Sequence, residues 1–192
     1  MYKHLVIIGS GGHGQSVADL ALSSDDFEQV SFVDDSFPDN KEALNLAILG
    51  KIDTLFNNTI EFDACIVAIG NNAVRKEVIE KIFENDLPIV SMIHPESWVS
   101  DYAEVALGVL VMAGAVVGTN AKLGLGSLIN ANATIDHDCI LDDFSHIGVG
   151  VNLAGGVKIG ASAWVQAGSS AGYNVEVGEK EIITPGTILI PK

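Results

Sequence analysis

From Val99 onward the chain reads in steps of six. The leading positions run Val99, Val105, Val111, Val117 and on to Leu189, and fifteen of the sixteen are Val, Ile or Leu. The fifth position of each step is mostly small, as at Ala103, Ala115, Ser127, Ala133, Cys139, Ser145 and Ala163, and no insertion breaks the run. A period of six suits neither an α-helix nor a single strand, whose periods are about 3.6 and 2. It suits a short strand plus a corner, repeated, so that three steps close one triangular coil. The aliphatic leader and the small residue then point into a prism, and corners take Gly or polar residues. The expected fold is a left-handed parallel β-helix with a pitch of one strand spacing, about 4.8 Å. The run gives about five coils, roughly 25 Å of prism. Glu181 falls at an inward small position, so the last coil is expected to be looser.

Glycine placement agrees with that register. Residues 99–192 hold fourteen glycines, and thirteen fall at the second or fourth position of a step, where a corner calls for permissive backbone. The exception is Gly155, at a third position. Residues 1–95 read differently. Lys3–Ile8, Gln29–Val33, Cys65–Ile69 and Pro88–Ile93 read as strands, and Gly14–Leu22 and Ala73–Asn85 as helices. Such alternation implies an α/β Rossmann-like unit with a parallel sheet. His94-Pro95 marks the expected boundary, giving an α/β domain over 1–95 and a β-helix domain over 96–192.

Charge excludes several classes. Ten Lys plus Arg face twenty-five Asp plus Glu, a formal net charge of −15, and Arg75 is the only arginine. A nucleic-acid binder needs a basic stripe, and an anionic membrane surface would repel this chain. No apolar run reaches the roughly 18 residues of a membrane span. With no signal layout and only Cys65 and Cys139, the chain is expected to be cytoplasmic.

Gly9-Ser10-Gly11-Gly12-His13-Gly14 fits G-x-G-x-x-G between a strand and a helix, and Asp34-Asp35 follows at the end of the next strand. Glycines let backbone amides approach phosphate at a helix N-terminus, and an acid there can take a sugar hydroxyl. A dinucleotide spans two such halves, and only one precedes the repeat, so a mononucleotide or a mononucleotide-sugar fits better. His13 reads either as a solvated turn residue or as a polar contact to substrate. Gly70-Asn71-Asn72 closes the third strand at the ligand-binding edge; its amides could hold hydroxyls or cap a helix.

The prism holds two histidines, His137 and His146, both in the coil 135–152. His137 sits at a corner between Asp136 and Asp138, and a carboxylate beside an imidazole raises its basicity and fixes its tautomer, as a general base requires. One coil of eighteen residues further lies Gly155, so the out-of-register glycine stacks on that imidazole, and its N–H can meet a developing oxyanion. Cys139 points inward and is expected to be buried and inert, which favours direct transfer. Two histidines at unlike positions do not make a metal site. Val149, Ala167 and Pro185 stack along another corner as a small, apolar ridge, which reads either as a bed for a long thin ligand or as ordinary corner filling.

These motifs together, G-S-G-G-H-G, V-D-D, A-I-G-N-N-x-x-R, H-D-C, F-S-H-I-G-V-G and A-G-G-V-K-I-G, resemble the nucleotide-amino-sugar acetyltransferases, over nearly the whole chain. The resemblance implies acetyl-CoA as co-substrate, no metal, and a homotrimer with active sites between neighbouring prisms. It places His137 as general base, Asp138 as its partner, and His146, Gly155, Ala167 and Pro185 against acetyl-CoA. It places Gly11, Gly12, His13, Asp34, Asp35 and Gly70 against the nucleotide sugar, where Asn71 and Asn72 are further candidates. Where members acting on bacillosamine-type sugars carry Glu after the histidine, this chain has Asp138; Pro185 stands for a glycine and has no N–H to donate. The expected activity is transfer of an acetyl group to the 4-amino group of a nucleotide-linked deoxy sugar, with lysines such as Lys158 helping to hold phosphates. A sugar O-acetyltransferase, a non-enzymatic nucleotide-binding solenoid and a Rossmann oxidoreductase are the alternatives.

Overall fold

The computed structural model describes residues 2–57 and 59–191. The chain divides into two compact units, Met1–Val90 and Ser91–Lys192. Among the described residues, no helix is long and apolar enough to cross a membrane.

The first unit is α/β. In chain order it has β1 (Tyr2–Ile8), α1 (Gly12–Ser23), β2 (Phe27–Val33), β3 (Glu42–Ala43), β4 (Leu46–Ala47), β5 (Ala64–Val67) and α2 (Asn72–Glu84). The main sheet is parallel with order β2-β1-β5, and Ile8 pairs with both Val33 and Val67. The middle strand has neighbours on both edges and packing on both faces. Its Leu5-Val6-Ile7-Ile8 is accordingly an unbroken apolar run, fully buried. Parallel order brings the carboxyl ends of all three strands to one edge. There Gly9 N–H donates to Val33 O and Ala68 N–H to Ile8 O.

Two features of this unit differ from expectation. The hairpin β3–β4 turns on Leu44 and Asn45, both with positive φ, and lies in a stretch with no clear strand pattern. The expected strand over Pro88–Ile93 is split. Ile89 bridges to Cys65 in the first unit, whereas Met92–Ile93 pairs with Leu110–Val111 as a rung of the second. The division at Val90/Ser91 therefore precedes His94-Pro95.

The second unit is a left-handed parallel β-helix. Two-residue strands stack at intervals of one coil into three parallel sheets: Val117 pairs with Val99 and Ile135, Leu141 with Leu123 and Ile159, Ile147 with Ile129 and Val165. The leaders and the small fifth-position residues fill the interior, where Val111, Ala115, Ile135, Cys139, Ile147 and Val165 are fully buried. Inward aliphatics from one coil pack on those of the next, and each fully buried Val, Leu or Ile contributes about 1.5–3 kcal/mol. At the far end Glu181 is exposed and accepts the Gly178 N–H, and Ile182 and Ile188 lie largely in solvent, as the looser last coil requires.

The corner glycines serve two physical needs, not one. Those at the fourth position of a step, such as Gly156 at φ +74, adopt the left-handed conformation. At the second position, Gly118, Gly124, Gly148 and Gly160 are needed for space. A Cβ on Gly118 would sit 2.7 Å from the backbone nitrogen of His137, one coil on.

Candidate functional site

The turn after β1 is built by glycines with different duties. Gly9 has φ +101, which side chains rarely adopt. Gly14 lets α1 lie against the strand end, since a Cβ there would strike the Gly9 carbonyl. Gly11 and Gly12 are exposed, and a Cβ on either would meet nothing within 4 Å. Gly11 is the N-cap of α1 at φ −67, ordinary extended backbone. Neither packing nor dihedral strain within the chain requires glycine at 11 or 12. Their bareness leaves the helix N-terminus open to an incoming group.

Both acids at the end of β2 are already engaged. Asp34 accepts from Ser10 N–H at 2.7 Å through one oxygen and from Ser36 N–H at 2.8 Å through the other. Burial alone would raise its pKa, but these hydrogen bonds hold it below the usual carboxylate range. Asp34 thus ties the glycine turn to the end of β2. Asp35 accepts from Ile52 N–H at 3.2 Å. On the neighbouring strand end, Asn71 takes the capping role: its Oδ1 accepts from Ala73 and Val74 N–H at the start of α2. Asn72 Oδ1 accepts from Arg75 at 2.8 Å.

Arg75 is fully buried. Its guanidinium also donates to the carbonyls of Ile69, at 3.0 Å, and Gly70, at 3.3 Å. Burial lowers its pKa to about 9. His13 is no solvated turn residue. Burial first, then the charge of Arg75, lower its pKa to about 4, so the ring is neutral at pH 7. Its Nε2 is buried with no hydrogen-bond partner among the described residues. The lone arginine was visible in the sequence, but that its charge reaches His13, sixty-two residues away along the chain, was not.

On the prism, His137 stands at a corner with its side chain 52% exposed. Asp136 and Asp138 do unlike things to it. Asp138 Oδ2 lies 2.7 Å from Nδ1, while Asp136 Oδ1 accepts the His137 backbone N–H at 2.7 Å. The second Asp136 oxygen lies 4.0 Å from Nε2. The hydrogen bond to Asp138 first, then the charge of Asp136, raise the imidazole above its ordinary pKa. Asp138 adopts φ +59, a corner conformation that Asp tolerates, and Asn120, one coil before, donates to it at 3.2 Å. With Nδ1–H donating to Asp138, Nε2 carries the lone pair and has no hydrogen-bond partner among the described residues.

Gly155 stacks where the repeat places it. The next residue, Gly156, donates its N–H to His137 O at 2.9 Å. A Cβ on Gly155 would meet Cε1 of the imidazole and lie 2.5 Å from Nε2 and 3.0 Å from Nδ1. The bare Cα is therefore the floor on which the ring lies. Gly155 is not among the positive-φ glycines, so space alone demands glycine there.

His146 lies in the same coil but not at that corner. It is 8% exposed, stacks on Trp164 with ring centroids 5.1 Å apart, and its Nε2 receives Asn130 Nδ2 at 2.9 Å. Trp164 lies one coil above His146, so the interval of eighteen would have found it. Val149, Ala167 and Pro185 form a continuous exposed column, with Gly168 N–H on Val149 O and Gly186 N–H on Ala167 O. One prism thus carries Gly155 and the Ala167–Pro185 column on different corners. Lys158 is paired with Glu176 at 2.8 Å, and its side chain stays more than half exposed. Cys139 is fully buried, and burial raises its thiol pKa.

Fold and corner together define the class: a hexapeptide-repeat β-helix preceded by an α/β unit, with a carboxylate-paired imidazole on its surface. A family model described as the PglD N-terminal domain matches residues 4–82. UDP-N-acetylbacillosamine N-acetyltransferase of Bacillus subtilis is 30% identical over 58% of this chain and 52% of its own length. The structure of PerB from Caulobacter crescentus in complex with CoA and GDP-perosamine is 29% identical, with a TM-score of 0.87, over 98% of this chain and 91% of that one. The acetyltransferase domain of PglB from Neisseria gonorrhoeae is 30% identical, with a TM-score of 0.75, over 98% of this chain and 97% of that one. The chain belongs to the nucleotide-amino-sugar N-acetyltransferase family. It spans about half the length of the curated relatives it matches.

Proposed function

We propose that the chain transfers an acetyl group from acetyl-CoA to the 4-amino group of a nucleotide-linked amino-deoxy sugar of the UDP-4-amino-4,6-dideoxy-N-acetylglucosamine type. The observation that carries this reading is the His137 corner: Nδ1 held by Asp138 at 2.7 Å, a side chain about half exposed, and a bare Gly155 against the ring. An imidazole so arranged is a base with one assigned nitrogen. As the amine nitrogen forms its bond to the thioester carbonyl carbon, His137 Nε2 takes a proton from it. Asp138 stabilises the imidazolium that results. The Gly155 N–H stabilises the oxyanion. When the carbon–sulfur bond breaks, the imidazolium returns its proton to the leaving thiolate.

The α/β unit holds the nucleotide. Gly11 and Gly12 present the open N-terminus of α1 to phosphate, which suits a chain with one, buried, arginine. His13, neutral and with Nε2 unsatisfied, and Gly70 complete that edge with Asp34 and Asp35, while Asn71 and Asn72 contribute mainly by shaping the turn. Acetyl-CoA is held by His146, Gly155, Ala167 and Pro185, the last through contact only. Gly155 and Ala167 lie on different corners of one prism; the family resemblance implies a homotrimer with active sites between neighbouring prisms, in which one acetyl-CoA would meet them on two copies, to be checked by sedimentation.

The test is a panel of 4-amino nucleotide sugars incubated with acetyl-CoA and read by thiol release. Turnover with amines supports the reading. Turnover with hydroxyl acceptors alone would make the chain an O-acetyltransferase, and stabilisation by UDP-sugar but not by CoA would remove the enzymatic reading.

A further inference from the structure

We infer that Asp136 is the residue that makes this corner select an amine over a hydroxyl. Its free oxygen and His137 Nε2 together hold the acceptor nitrogen. This rests on the reading of His137 as the base, and it assigns a role to the one acid at the corner that the imidazole pairing does not use.

The geometry is specific. Asp136 spends Oδ1 on the His137 backbone N–H at 2.7 Å, which fixes the carboxylate to the strand end. Oδ2 is left 4.0 Å from Nε2. That separation is too long for a hydrogen bond between the two, and neither atom has a hydrogen-bond partner among the described residues. Both side chains are about half exposed, so an incoming group can reach them. An atom placed about 2.8 Å from each would subtend an angle of roughly 90° between them, close to that of two N–H bonds on one nitrogen.

Donor counting then decides the acceptor. Oδ2 of an ionised carboxylate only accepts, and Nε2 only accepts once Nδ1–H is committed to Asp138. A neutral amine brings two N–H donors, one for each, and keeps its lone pair for the carbonyl carbon. The ammonium form docks by the same contacts, loses a proton to solvent along the exposed carboxylate, and becomes that amine. A hydroxyl has one proton. It satisfies one acceptor and turns an oxygen lone pair towards the other, an arrangement a site built for two donors rejects. The two flanking acids thus divide the work: Asp138 sets which imidazole nitrogen accepts, and Asp136 sets what it accepts from.

The experiment compares binding of two UDP-linked 6-deoxy-N-acetylglucosamines, one with a 4-amino and one with a 4-hydroxyl group. Calorimetry on the full chain at pH 7.5 reads both, for wild type, Asp136→Asn and Asp136→Ala. The wild type should prefer the amine by about tenfold or more. Both variants should bring the two affinities within about threefold of each other, and in turnover should raise KM for the amino sugar more than they lower kcat, with KM for acetyl-CoA unchanged. A wild type without preference, or variants that keep it, would overturn the inference. Because binding is read without chemistry, failure of the base reading shows separately, as normal turnover in His137→Ala.

Discussion

His13 and His137 are the same side chain placed in opposite electrostatic settings. The first lies in the first turn of α1, within the field of a fully buried arginine, and burial together with that charge lowers its pKa to about 4. The second stands on an exposed corner between two carboxylates, which raise its pKa above the ordinary value. One is a neutral group at any physiological pH and can only shape or contact a ligand. The other is a base whose proton affinity is tuned upward. The contrast fits the proposed division, in which the α/β unit holds a ligand and the prism corner moves a proton, and it shows that histidine content alone does not tell one setting from the other.

The comparison can be broken most directly at the corner. His137→Ala should lower turnover about 10²–10⁴-fold, with an unchanged thermal midpoint, whereas His13→Ala should act on KM for the nucleotide sugar. Equal effects of the two on kcat would end the division of roles. Gly155→Ala should lower kcat by about tenfold or more by lifting the ring from its floor, with little change in secondary structure by circular dichroism. Asp138→Asn tests the upward tuning. In the proposed mechanism the neutral imidazole is the active form, so kcat/KM should rise with pH through a raised pKa in the wild type, and the variant should move that limb down towards 6.5 and lower the plateau.

The smallest effect tests the downward tuning of His13. A histidine whose folded pKa lies below its unfolded value is stabilising above the unfolded value, and this contribution is lost as pH falls. The window runs from about 6.5 to about 4 and is worth at most about 3 kcal/mol. Urea unfolding of the wild type should therefore weaken across that window more than unfolding of His13→Gln. Parallel curves would mean that the imidazole is not held neutral by the fold.

Much of the prism was readable because its rule is one-dimensional. An uninterrupted step of six puts every residue beside the one eighteen away, so His137 and Gly155, Asn120 and Asp138, and His146 and Trp164 are neighbours by counting alone. The α/β unit obeys no such rule. Its central strand announced itself by four consecutive buried aliphatics, but the hairpin β3–β4, held by two left-handed residues, left no period to read. The expected strand over Pro88–Ile93 failed for a related reason. An apolar stretch shows that it is buried, not which partner buries it, and here two units share it.

What the amino-acid sequence determined by itself is the vertical order of the β-helix and the turn chemistry of the first loop, because both follow from local backbone requirements repeated or concentrated along the chain. The tertiary structure decided the rest: that Asp138, not Asp136, holds Nδ1, and that Arg75 sits near His13. Such pairings depend on side-chain direction at a corner and on packing between elements far apart in sequence. A carboxylate one residue before an imidazole and one residue after it read alike until the backbone between them is given its turn.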